Sequence, residues 1–149
     1  MQDVQTIVPH LLDHTAGNLF EARGVAVGDA VYAVTILSGH LYVCGRMTVG
    51  ELCDARNAAR WLGLMEDEIW EAREHLLASE ATPMRFDLCV PVMITTRLRF
   101  VADKREKGLK FVVPGALDSQ TLRGVREMTK ESACLLLDEL DAAHDLTGD

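Results

Sequence analysis

The sequence predicts an α+β fold in which a small mixed or closed β-barrel carries flanking helices, and three observations favour it. The 149 residues, of which 48% are hydrophobic and 26% charged, have the length and composition of one globular domain. Stretches of strand-like and of helical periodicity alternate along the chain. Glycine-containing turns separate the strand-like stretches, as they do in β-hairpins. We therefore expect a single domain over residues 1–149.

Residues 1–23 predict a helical lead-in, and the clearest strand signal follows it. Ala30–Leu37 and Leu41–Val49 are rich in β-branched and aromatic residues, and Ser38–His40 between them contains a glycine. Two such runs joined by a short turn predict a β-hairpin. Gly45 inside the second run indicates a bulge or a close backbone approach.

Two helices are expected next, because polar N-caps precede residues at helical spacing. Asp54 is expected to cap a helix over 55–62 that ends at Gly63. Asp67 is expected to cap a second helix that continues through Ala78. The apolar stripe of this second helix consists of Ile69, Trp70, Leu76 and Leu77.

Three stretches of the following segment are predicted to be strands. They are Arg85–Val90, Arg97–Val101 and Leu109–Val113, with a charged loop over 102–108 before the last of them. The first two alternate polar and apolar residues, which is the period of a strand with one buried face. A threonine cap then predicts a final helix within 129–145. Its apolar stripe consists of Ala133, Leu136, Leu137 and Leu140.

The net charge of −8 argues against a protein that coats nucleic acid non-specifically, but the charge is unevenly distributed. Residues 1–84 hold 5 basic and 12 acidic side chains, residues 85–130 hold 10 and 5, and residues 131–149 hold none and 6. The basic middle segment predicts a surface that faces an anion. The alternative is that the segments interleave in space and neutralise one another.

This basic segment supplies the candidates for phosphate contacts. Period-two alternation places Arg97 and Arg99 on one face of a sheet, and Lys110 joins that face if the last two predicted strands pair. The predicted phosphate-binding residues are Arg97, Arg99, Lys104, Arg105, Lys107 and Lys110.

A lone arginine, Arg46, lies in the otherwise apolar second strand of the predicted hairpin. An arginine in such surroundings has to find a carboxylate, a ligand phosphate or water. The sequence leaves open whether Arg46 binds a ligand or forms a salt bridge with Asp29 or Glu51.

The segment Asp118–Arg126 is dense in hydrogen-bond donors. Gln120 and Thr121 offer an amide and a hydroxyl, and Arg123 and Arg126 add guanidinium groups. Such a turn suits a phosphate or a base edge. The alternative is a helix-capping segment whose arginines face the acidic C-terminal helix.

Catalytic and metal motifs are weak. His10 and His14 have the spacing of two metal ligands on a helix, but no third ligand lies nearby in sequence, so we expect no metal and no cofactor. Cys44 and Cys89 lie in apolar runs and are expected to be buried free thiols. One alternative remains an enzyme that acts on a small molecule and uses His40 or Cys44.

Two parts of the chain resemble PUA-like domains. Gly28–Tyr32 matches the Gly-Asp-x-Val-Tyr entry to the first strand in the bacterial EVE-type and ASCH-type branches of that superfamily. Where the returning strand of those domains ends in Val-Gly-Arg, this sequence has Cys44–Arg46. Leu117–Arg126 and Thr129–Ala133 resemble the closing segment of such bacterial domains.

The resemblance implies a non-catalytic module that binds nucleic acid or a modified nucleobase, with any catalysis supplied by a protein partner. It implies a ligand pocket, for which our candidate residues are Arg46, Gln120, Thr121, Arg123 and Arg126. A protein-interaction module or accessory subunit is the second alternative. No apolar run reaches the roughly 20 residues that span a bilayer. The first residues also lack a basic flank and a long apolar core, so we expect a cytoplasmic protein with no membrane contact.

Overall fold

A computed structural model of the chain describes residues 6–7, 24–53, 60, 63, 75–122 and 125–147. In chain order its strands and helices are β1 (Thr6–Ile7), β2 (Ala30–Leu37), β3 (His40–Cys53), β4 (His75–Ala81), α1 (Val92–Thr95), β5 (Arg99–Ala102), β6 (Arg105–Gly108), β7 (Phe111–Val113), β8 (Ala116–Leu117), β9 (Glu127–Met128) and α2 (Lys130–Thr147). The fold is therefore mixed α+β, as predicted, and its strands are mostly antiparallel.

The described strands form three sheets. Their orders are β1-β4-β3-β2, β6-β5-β9 and β7-β8, and none of the three closes on itself. Closure into a barrel therefore stays a prediction. No helix in the described ranges is long and apolar enough to cross a membrane.

The chain divides into two compact units. The first comprises Met1–Tyr32 and Gly45–Pro83, and the second comprises Ala33–Cys44 and Met84–Asp149. Strands β2 and β3 contribute residues to both units. The expectation of one domain over the whole chain stays a prediction. The helical lead-in expected over residues 1–23 is wrong at Thr6 and Ile7, which form β1 and pair with β4, and its other residues lie outside the described ranges.

The β2–β3 hairpin is confirmed. Its strands are hydrogen-bonded neighbours joined by Ser38 and Gly39, whose φ angles are 51° and 80°. Positive φ at both central residues is the mark of a type I′ turn, whose twist matches that of the flanking strands. In the pairing of β3 with β4, the register is irregular between Thr48 and Glu51. The bulge or close approach predicted at Gly45 stays a prediction. A Cβ on Gly50 would come within 2.9 Å of the Ser79 nitrogen, so the backbones of β3 and β4 approach closely at Gly50.

The helix predicted to run through Ala78 is wrong at its end, because His75–Ala81 is the antiparallel partner of β3. Leu76, Leu77 and Ala78 are each 0% exposed. A strand that is buried on both faces shows a continuous apolar run, which cannot be told from a buried helix by periodicity. The earlier part of this predicted helix lies outside the described residues. The stop predicted at Gly63 is confirmed, because Gly63 (φ 71°) follows the helical Arg60 and its N–H donates to the Arg60 carbonyl.

In the second unit, the predicted charged loop is wrong, because it forms the turn and second strand of a hairpin. Asp103 and Lys104, with φ angles of 51° and 66°, join β5 to β6. The charges indicated a loop, but charged side chains are also how edge strands avoid pairing with other molecules. Strand β7 pairs with β8 and not with β5, so Lys110, just before β7, does not join the face of Arg99.

Two further strand predictions in this unit need correction. Arg97 follows the unpredicted short helix α1 and donates its N–H to Ile94, so it lies in a turn before β5. The predicted strand Arg85–Val90 does not form a regular strand. It is joined to β3 by backbone hydrogen bonds of Arg85, Leu88 and Val90, with one isolated bridge between Cys89 and Tyr42. Cys89 is exposed, so its predicted burial is wrong, whereas Cys44 is a buried free thiol as expected.

Helix α2 begins where the sequence predicts. The Ser132 N–H donates to the Thr129 hydroxyl at 3.2 Å, which is the N-cap bond. Leu136 and Leu140 are 2% exposed and form the buried stripe with Ser132, which is 1% exposed. The buried hydrophobic residues of the second unit are Leu41, Val43, Cys44, Val90, Leu98, Leu117, Leu136 and Leu140.

Candidate nucleic-acid interface

The β5–β6 hairpin carries most of the predicted phosphate contacts, and its register divides them between two faces. Lys107 pairs with Phe100 and Arg105 pairs with Ala102, so these four residues share one face. Arg99 pairs with Gly108 on the opposite face. The candidate phosphate-binding residues of this hairpin therefore do not share a single face, a question that the sequence leaves open.

The face of Arg99 also carries acidic residues. Val101, on this face, pairs with Glu106 of β6 and with Glu127 of β9. On the opposite face, Phe100 pairs with Met128 of β9 and with Lys107. The Arg105–Lys107 face is therefore the more positive of the two.

All four residues of β6 are exposed, and so is Lys104 in the turn. Within the described ranges, ion pairs join Arg85 to Asp87 and Lys110 to Asp118. No ion pair to another described residue is found for Arg97, Arg99, Lys104, Arg105 or Lys107. The described side chains therefore do not neutralise the hairpin by direct pairing.

Arg99 lies across the hairpin rather than away from it. A Cβ on Gly108 would be 3.0 Å from Arg99 Nη1, so the guanidinium occupies the space that a side chain at position 108 would fill. The glycine therefore allows the arginine to lie flat against the neighbouring strand.

The turn at 118–121 uses its polar groups locally. Asp118 Oδ1 accepts a hydrogen bond from the Gln120 N–H at 2.9 Å, and its Oδ2 lies 3.8 Å from Lys110 Nζ. The Thr121 hydroxyl accepts the Lys110 N–H at 2.8 Å. The structure thus brings Lys110 together with Gln120 and Thr121, two of the predicted ligand residues. The carboxylate of Asp118 lies among them. Electrostatic repulsion from Asp118 disfavours a phosphate at this turn.

For Arg123 and Arg126, the other two predicted ligand residues of this segment, the structure gives no contact that indicates a ligand site. Arg123 lies outside the described residues. Arg126 is exposed immediately before β9 and has no ion pair with a described residue.

In the first unit, Arg46 contacts Tyr32 rather than a carboxylate. Its Nε–H donates to the Tyr32 hydroxyl at 3.1 Å, and its guanidinium carbon lies 5.6 Å from the centre of the Tyr32 ring. The salt bridges considered for Arg46 do not form. The carboxylate of Asp29 accepts the Ala26 N–H, and that of Glu51 accepts the Leu52 N–H.

Thr82 fixes the backbone at Arg46. The Arg46 N–H donates to the Thr82 hydroxyl at 3.0 Å, and the Thr82 N–H donates to the Arg46 carbonyl at 2.9 Å. Sequence reasoning missed both Tyr32 and Thr82 as neighbours of Arg46, because they lie 14 and 36 residues away. Only the pairing of three strands brings them together.

The thiol–base alternative receives no support. Burial raises the pKa of the Cys44 thiol, which lowers the fraction of nucleophilic thiolate at neutral pH. His40 is exposed at the start of β3. No group of metal-ligating side chains is found among the described residues, and His10 and His14 lie outside them.

Comparisons with family models, with curated proteins and with solved structures give no match to this chain. The roles of its residues therefore have to be argued from its own geometry.

Proposed function

We propose that this protein is a non-catalytic module that binds nucleic acid through the β5–β6 hairpin. The observation that carries the proposal is the set of exposed cations on that hairpin that form no ion pair with another described residue. Cations on a protein surface bind phosphates largely by releasing the counterions that surround the nucleic acid. A chain with a net charge of −8 needs such a local cluster in order to bind a polyanion.

The resemblance to PUA-like domains makes the proposal more specific. On its basis we propose that the strands close into a PUA-like barrel and that the protein recognises a modified base. Arg46, Gln120, Thr121, Arg123 and Arg126 are the proposed ligand residues. A protein partner supplies any catalytic activity, and the location is cytoplasmic. The β2–β3 hairpin supports this part, because it lies where the resemblance places the first two strands.

Fluorescence anisotropy over a range of salt concentrations tests the proposal. Labelled single-stranded and double-stranded oligonucleotides, with and without modified bases, are titrated with the protein. We expect log K to fall linearly with log salt, with a slope set by the number of phosphates contacted. Absence of binding at low salt, where electrostatic attraction is strongest, contradicts the proposal.

A protein-interaction module is the second candidate, because large apolar side chains are exposed in the second unit. Phe86 is 69% exposed, Met93 is 73% exposed and Met84 is 50% exposed, all within ten residues of chain. Exposed apolar clusters mark surfaces that bind other proteins. Failure to bind oligonucleotides would make this the leading candidate.

A further inference from the structure

Arg46 is held in a specific orientation by its two contacts with Tyr32. The hydrogen bond fixes the Nε edge of the guanidinium, and the contact with the aromatic ring covers one of its faces. Hydrogen bonds to Thr82, which directly follows β4, fix the backbone of Arg46. An arginine oriented in this way loses little side-chain entropy when it binds a partner.

The Nε contact decides which edge of the guanidinium is available. With Nε engaged, the remaining fork is the end-on pair Nη1 and Nη2. Neither of these atoms hydrogen-bonds to a residue in the part of the chain that the structure describes. Two parallel N–H donors in a plane match the oxygens of a phosphate group.

Among the described residues, an acidic side chain lies near Arg46. Glu80 of β4 pairs with Thr48 of β3, which lies two residues after Arg46, so Glu80 is on the same face of the sheet as Arg46. No ion pair within 4 Å joins Glu80 to Arg46. Its charge opposes an anion at Arg46 without occupying the guanidinium fork.

We propose that Arg46, oriented by Tyr32, binds a single phosphate group through Nη1 and Nη2. This inference deepens the proposed function and rests on it for the identity of the molecule that carries the phosphate. The β5–β6 hairpin binds several phosphates through its positive charge alone. Arg46 binds one phosphate through two oriented N–H donors. The first interaction is lost in salt, and the second depends on the shape of the guanidinium.

The test follows the Arg46 Nε–H signal in a ¹⁵N-labelled protein during titration with inorganic phosphate. The signal is assigned by its loss in Arg46→Lys. We expect a saturable shift of this signal in the native protein. The backbone amide signals of Tyr32 and Thr82, which both proteins possess, give the phosphate affinity of the native protein and of Arg46→Lys. The affinity should be about tenfold weaker in Arg46→Lys, which keeps the charge but loses the fork. Arg85→Lys is the matched control and should bind phosphate as the native protein does, because Arg85 is paired with Asp87 at 2.8 Å and belongs to neither set of predicted ligand residues.

Glu80→Gln supplies a test of opposite sign. Removing the neighbouring negative charge should strengthen phosphate binding about twofold at low salt. Native-like binding by Arg46→Lys, or the absence of a saturable shift, overturns the inference. Unchanged backbone spectra in each variant exclude a loss of folding as the cause.

Oligonucleotides of one sequence, with and without a 5′-phosphate, separate this inference from the proposed function. Preference for the phosphorylated end that disappears in Arg46→Lys identifies a terminal phosphate as the ligand. Salt-dependent binding without any phosphate shift at Arg46 overturns the inference alone. A phosphate shift at Arg46 without oligonucleotide binding overturns the proposed function and leaves free phosphate or a small phosphate ester as the ligand.

Discussion

The Arg99 backbone N–H donates a 2.7 Å hydrogen bond to the hydroxyl of Ser132, which is 1% exposed. The Thr129 hydroxyl bonds to the same oxygen at 2.9 Å. A single serine thus joins the first turn of α2 to the start of the basic hairpin. The hairpin's base is therefore held by buried groups, although its charged residues are exposed.

Ser132→Ala should lower the free energy of unfolding by about 1–3 kcal/mol, because it removes the acceptor of the Arg99 N–H. Urea denaturation followed by circular dichroism measures the change. Cys134→Ala, an exposed position on the same helix, is the control and should change stability by less than about 0.5 kcal/mol. Equal stabilities of the two variants would show that water or a local shift replaces the serine.

Arg105→Gln combined with Lys107→Gln should reduce the salt slope of nucleic-acid binding by about 1.8, at about 0.9 per phosphate contact. The reason is that both side chains lie on the more positive face of the hairpin. Arg85→Gln is the control, because Arg85 is paired with Asp87 at 2.8 Å. An unchanged slope in the double variant would exclude this face as the phosphate contact.

Arg97→Ala combined with Arg99→Ala should reduce the salt slope of nucleic-acid binding less than Arg105→Gln combined with Lys107→Gln does. Arg97 lies in the turn before β5, and Arg99 shares its face with Glu106 and Glu127. The same anisotropy series compares the two double variants directly. A larger loss for the Arg97 and Arg99 pair would reverse the assignment of the binding face.

Gly39→Ala should be strongly destabilising for two independent reasons. Gly39 has φ of 80°, and an added Cβ would lie 3.0 Å from the Ala116 Cβ and 3.1 Å from its Cα. Strained φ costs about 1–3 kcal/mol, and the clash adds to it. Gly28→Ala, with φ of 96° and nothing within 4 Å, isolates the cost of the dihedral angle. Thermal unfolding of both variants checks the order, and equal losses would argue against the contact with Ala116.

Cys44 should make stability fall at alkaline pH. Burial raises its pKa in the folded state, so its contribution is fully present below the thiol's unfolded pKa of about 8.5. The contribution is lost as the pH rises through the folded pKa. Urea denaturation between neutral and alkaline pH measures this loss, and Cys44→Ala should flatten the curve relative to Cys134→Ala. Parallel curves for the two variants would rule out a contribution from Cys44.

Features that depend on neighbours in sequence could be predicted from the sequence. The β2–β3 turn, the stop at Gly63 and the cap at Thr129 each involve residues within four positions of one another. Features that depend on strand pairing could not. The strand at Leu76–Ala78 has the same apolar run as a helix, and Arg46 meets Tyr32 only through the folded sheet.

Strand β6 lies at the edge of its sheet, with Arg105, Glu106 and Lys107 all exposed. An edge strand offers unpaired backbone groups on which a strand of another molecule can add, and charged side chains oppose that association. The residues proposed to attract a polyanion therefore also keep copies of this protein apart. Neutral variants at Arg105 and Lys107 should self-associate as their concentration rises, so light scattering has to accompany every binding measurement made with them.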